Sequence, residues 1–156
     1  MIAVYLLSVV LANLIATFAG PAGSIGVAAL LIGLDMHARD MLHARWGLSL
    51  RLFGLIAVGG ALSLPFGAGR VALASCAAFV ASSVVDAIAY SVLRKNRAHR
   101  SNLISAPVDS VVFVGLAFGV KAIGVYALAQ TVAKIGGGWV WGRILNRERA
   151  SNEQGA

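Results

Sequence analysis

Four ionisable residues stand where an apolar chain can least easily hold them: Asp86, Asp109, Lys134 and, nearer an edge, Asp40. A carboxylate in apolar surroundings is a strong acceptor for N–H donors, and an ammonium beside it supplies a donor and a balancing charge. Their neighbours extend that chemistry. Ser82, Asp86 and Tyr90 recur at i, i+4 and i+8, and Ser105–Asp109 and Gln130–Lys134 recur at i, i+4, so each set lines one face of a helix. A charge at the centre of a membrane-spanning helix costs about 2.5–3.5 kcal/mol, so such residues face a partner, a cavity or a ligand. Carboxylates with neighbouring hydroxyls suit recognition of a ligand rich in N–H groups. Bond making is less well served. The three histidines fall in loops and Cys76 has no evident partner, which leaves no nucleophile–base pair, and the chain is read as no enzyme.

The elements that position these residues are apolar. The chain of 156 residues is 59% hydrophobic and 12% charged, with a mean hydropathy of +0.84. The charged share is about half that of a soluble domain. Apolar segments run over residues 2–19, 23–38, 48–66, 71–93, 103–119 and 122–143, with Gly20-Pro21, Pro65-Phe66-Gly67 and Phe118-Gly119 as turns and 94–100 as a basic loop. The expected fold is an all-α membrane protein, a compact bundle of about six transmembrane helices. Residues 1–145 form one membrane domain and residues 146–156 a flexible polar tail. Eighteen glycines suit close helix approach. The run Gly136-Gly137-Gly138 lacks the Lys-Ser/Thr of a phosphate loop, so helix packing or a kink is its expected use.

Charge placement orients the bundle. Every Lys and Arg except Arg70, Lys121 and Lys134 falls in an even-numbered loop or the C-terminal tail, which puts both termini in the cytoplasm and the protein in the plasma membrane. The formal charge of +7 is explained by this asymmetry, and no nucleic-acid partner is expected. Segment 2–19 has no basic n-region and is read as a span. Trp46, Trp139 and Trp141 lie near cytoplasmic span ends, as interfacial anchors do. His37, Asp40 and His43 match no metal template, so no metal and no cofactor is expected. Arg39 and Asp40 are placed as structural or gating residues at the cytoplasmic rim.

At ~1.5 Å rise per residue, Asp86 lies roughly 12 Å from the cytoplasmic end of its span, Asp109 roughly 10 Å, Lys134 roughly 13 Å, and Asn13 about 16 Å along the first span. Four polar residues on four helices therefore share a layer. Lys134 can pair with Asp86 or with Asp109. Either pairing leaves one carboxylate to be balanced by a proton, an arginine or a ligand.

The chain resembles the vitamin uptake transporter family, also called queuosine-precursor transporters. The resemblance rests on Tyr5 through Leu14 with Asn13, on the spacing of Asp40 and Gly47, and on Asp86 followed by Tyr90 and the basic turn at Leu93-Arg94. It rests further on Asn102-Leu103-Ile104-Ser105 followed by Asp109-Ser110 and Phe113, and on Lys134 in the last span. Ala44 stands where the family often has a glutamate. The resemblance implies a six-span fold like the substrate-binding components of energy-coupling-factor transporters. It also implies uptake of 7-cyano-7-deazaguanine or a related deazapurine or nucleobase-like small molecule. On that reading Asp86 or Asp109 accepts two adjacent N–H groups of the ring, Lys134 or Asn13 donates, and Tyr90 or Phe113 stacks, with Ser105 in the same site. Two alternatives stand beside it: the substrate-binding subunit of an ATP-driven complex, and a membrane scaffold held by charge pairs alone. The expected partners are the substrate, the lipid bilayer, and an ATP-driven coupling protein or a second copy of the chain.

Overall fold

A computed structural model describes the backbone of residues 2–46, 49–66, 68–92 and 97–154, and the side chains within it except those of 36, 37, 39–41, 43, 44, 52, 56, 86, 87, 90–92, 97–102 and 145–154. Among the described residues there is no strand, and six α-helices follow one another: α1 (Ile2–Val27), α2 (Gly33–Trp46), α3 (Leu50–Ser63), α4 (Gly69–Val92), α5 (Arg97–Phe118) and α6 (Leu128–Gln154). Two π-helical turns, Ala28–Ile32 and Ile123–Ala127, lead into α2 and α6.

The breaks fall where the backbone demands them. Gly20 has φ 63° and ψ −161°, a conformation that a side chain disfavours, and Pro21 follows with no N–H to give. Helix α1 is therefore two limbs, 2–19 and 21–27, and the second continues through the π turn into α2. The first limb packs against α2 and α4, since Tyr5 and Val9 share a buried cluster with Ala38, Leu42 and Phe79. Gly119, at φ 97°, makes the corresponding break between α5 and the approach to α6. The run Ile2–Asp35 is long and apolar enough to cross a membrane, whereas Gly69–Val85 and Leu103–Phe118 are shorter apolar helices.

One stretch differs from the sequence expectation: helix α5 starts at Arg97, inside the expected basic loop. Helix α6 runs on to Gln154. No Gly or Pro interrupts residues 146–154, and Arg147, Glu148, Arg149 and Ala150 all favour the helix.

Large apolar side chains point outward: Phe18 is 81% and Leu50 89% exposed, and Leu73, Val120, Val125 and Leu128 are exposed with them. The buried set contains Asn13, Ser24, Asp35, Ser63, Ser82, Ser105, Ser110, Gln130 and Lys134 among alanines and valines. A soluble domain leaves few such apolar faces uncovered. This distribution is that of a membrane protein, with apolar side chains outward and polar groups gathered within.

Helix crossings bring the polar layer together. Helices α4 and α5 pack along much of their length, and Arg70 Nε donates to the Leu116 carbonyl at 2.9 Å across their ends. Helix α6 crosses the first π turn at glycine. A Cβ on Gly33 would lie 2.6 Å from the Gly137 backbone, and a Cβ on Gly137 would collide with the Ala29 carbonyl. Trp141 Nε1 donates to the Leu30 carbonyl at 2.8 Å in the same crossing, so this indole serves as a helix-to-helix tie. The glycine run is thus used for packing, and within it Gly137 makes the approach while Gly136 and Gly138 face open space.

Candidate functional site

The site begins with Lys134, 3% exposed on α6. An ammonium this deep needs a partner, because its desolvation is repaid only by a close opposite charge. Asp109 on α5 supplies one, with Nζ 2.5 Å from Oδ2. The other carboxylate oxygen is 3.3 Å from the Ser82 hydroxyl on α4, whose single proton is shared with the Phe79 carbonyl at 3.0 Å. The Lys134 ammonium also lies 5.6 Å from the centroid of the Phe113 ring, within range of a cation–π attraction. Phe113 is itself held edge-on by Phe118, at 5.8 Å between centroids.

These groups form one wall of a cavity between both limbs of α1, the first π turn, α2, α4, α5 and α6, lined in part by Asn13, Ser24, Asp35, Asp109, Phe113, Gln130 and Lys134. Asn13 enters from the middle of the first limb, where its Nδ2 donates to Ser63 Oγ at 3.1 Å. Ser63 in turn donates to the Gly59 carbonyl at 3.0 Å. Gln130 Nε2 donates to Ser24 Oγ at 2.7 Å. The free space is about 40 Å³, room for a few waters at roughly 10–15 Å³ each.

The expected site residues divide clearly. Asn13, Asp109, Phe113 and Lys134 line the same cavity. Ser105 is buried on α5 one turn before Asp109, and its Oγ has no hydrogen-bond partner among the described residues. The side chains of Asp86, Tyr90, Arg39 and Asp40 lie outside the described residues, although their backbones are helical, in α4 and α2. Lys134 takes Asp109, which answers a question the spacing left open.

Four polar lining residues were not among the expected site residues: Ser24, Asp35, Ser75 and Gln130. Asp35 is 7% exposed and lines the cavity. It sits within apolar segment 23–38, and that position was the available signal. Gln130 carried a signal in its i, i+4 spacing to Lys134. Ser24 carried none, because hydroxyls are common in spanning helices. With Asp35 present, the described lining holds two carboxyl groups and one amino group.

The arrangement can accept N–H donors, balance a charge and press a ring against Phe113. Neither a curated protein nor a solved structure matches the chain. Residues 2–141 match the family described as "Putative vitamin uptake transporter", and the chain belongs to that family.

Proposed function

We propose that this membrane transporter takes up a queuosine precursor such as 7-cyano-7-deazaguanine across the plasma membrane, with both termini in the cytoplasm. The observation that carries the reading is the Asp109 carboxylate, held between Lys134 and Ser82 on the wall of a cavity that Asn13, Asp35 and Gln130 also line. A deazaguanine edge places a ring N–H beside an exocyclic amine, and a carboxylate accepts both at once. Phe113 offers a face for the ring, and Lys134 a donor for its carbonyl or nitrile. Asp86 and Tyr90, one and two turns beyond Ser82 in α4, belong to the same proposed site, as do Asn13 and Ser105.

A fused bicyclic ring exceeds the present cavity, so binding has to part Lys134 from Asp109. Substrate N–H groups then replace the ammonium on the carboxylate. An exchange of partners of this kind is well suited to alternating access, because the empty site closes on its own charge pair.

The test is uptake of labelled 7-cyano-7-deazaguanine by purified protein in proteoliposomes, with guanine as competitor. Uptake by the parent and its loss in Asp109→Asn and Asp86→Asn are expected. Absence of binding to either compound, or unchanged binding by both variants, sinks the proposal. Binding without uptake, together with co-purification of an ATPase, identifies the chain as a subunit of an ATP-driven complex.

A further inference from the structure

The amide of Gln130 has its orientation decided by its surroundings. Ser24 Oγ donates its only proton to the Pro21 carbonyl at 2.6 Å. That carbonyl stands at the start of the second limb of α1, just after the break at Gly20. With its proton so used, Ser24 accepts from Gln130, and the 2.7 Å contact is made by the Gln130 NH₂ group. This turns Oε1 the other way. Gln130 is 1% exposed and lines the cavity, and its Oε1 is buried with no hydrogen-bond partner among the described residues. A buried acceptor left without a donor is costly, and Gln130 is one of the residues that line the cavity.

We infer that Gln130 Oε1 accepts a ring N–H of the bound ligand, and that this contact makes the site selective for a free heterocyclic base over its nucleoside. The inference rests on the uptake reading above. Gln130 lies four residues, about 6 Å of helix rise, before Lys134 on α6. A ligand whose amine edge is taken by the Asp109 carboxylate has its remaining ring N–H, on the five-membered ring, at the opposite edge. A second acceptor one turn along α6 complements that N–H. In a nucleoside this nitrogen carries the sugar and has no hydrogen to give. With the amide in this orientation, a ligand with an acceptor at this edge would face an acceptor.

The test compares 7-cyano-7-deazaguanine with its derivative methylated on the five-membered-ring nitrogen, by equilibrium binding to the purified full chain. The parent should bind the unmethylated base at least tenfold more tightly. Gln130→Leu should bind the base at least tenfold more weakly than the parent and lose the discrimination between the two compounds. The ratio within one protein is insensitive to a general loss of stability. Should Gln130→Leu not fold, Ser24→Ala serves instead: it frees the amide to rotate, and the ratio should fall. A parent that binds both compounds equally, or a variant that keeps the parental ratio, overturns the inference and leaves the uptake reading intact. A parent that binds neither compound overturns the uptake reading, and this inference with it.

Discussion

Lys134 Nζ and Asp109 Oδ2 meet at 2.5 Å between α6 and α5, and the pair closes one wall of the cavity that the proposed substrate would enter. It is at once a structural tie and an obstacle. The ammonium is almost fully buried, so removing its partner leaves an uncompensated charge, while separating the two in favour of a ligand exchanges one set of charge-assisted bonds for another.

Asp109→Asn should destabilise the protein by about 3–5 kcal/mol, the usual cost of breaking a buried pair from one side, and should abolish substrate binding. The double variant Asp109→Asn/Lys134→Met should recover much of the stability and none of the binding. Thermal melts in detergent, with and without 7-cyano-7-deazaguanine, separate the two effects. Recovery of binding in the double variant would show that the carboxylate is only a tie.

Ser82→Ala removes a hydroxyl that holds the second carboxylate oxygen at 3.3 Å. The bond is long and its proton is shared, so the expected loss is about 0.5–1.5 kcal/mol. Uptake kinetics should show KM raised several-fold with little change in kcat. An unchanged KM would remove Ser82 from the site.

Gly137→Ala places a methyl group on the Ala29 carbonyl, and the crossing of α6 with the first π turn must widen. A loss of about 1–3 kcal/mol is expected from the overpacking. Gly136→Ala and Gly138→Ala meet open space and should be neutral or stabilising by up to ~1 kcal/mol, as alanine is the better helix former. Melting temperatures of the three variants should therefore split one against two.

Trp141→Phe keeps the ring and loses the N–H that reaches the Leu30 carbonyl at 2.8 Å. A loss of about 0.5–1.5 kcal/mol is expected. Hydrogen exchange should show the π turn at Ala28–Ile32 opening more readily in the variant. Equal protection would mean that the indole acts only at the membrane interface.

Reporter fusions test the orientation. A cytoplasm-active reporter at the C-terminus should be active, and one inserted after Arg70 should not. The opposite pattern would invert the bundle.

Much of the scaffold is legible in the sequence. Gly20-Pro21 and Phe118-Gly119 break helices because glycine tolerates positive φ and proline lacks an N–H, and both are properties of the residue itself. Asn13, Asp109 and Lys134 are recognisable as a buried layer because depth along a helix follows from counting residues. What counting cannot supply is the rotation of each helix about its axis and the identity of its neighbour. Those decide that Lys134 takes Asp109, that Gly137 alone of its run meets a backbone, and that Asp35, Ser24 and Gln130 join the cavity. They arise from packing between segments far apart in the chain: Gln130 and Ser24 are 106 positions apart and their hydrogen bond spans 2.7 Å. The chain by itself determined that Asn13, Asp109 and Lys134 lie inside at one level. The tertiary structure decided which of them touch, because contact is set by the close approach of helices, and here that approach is set by a few glycines and two π turns.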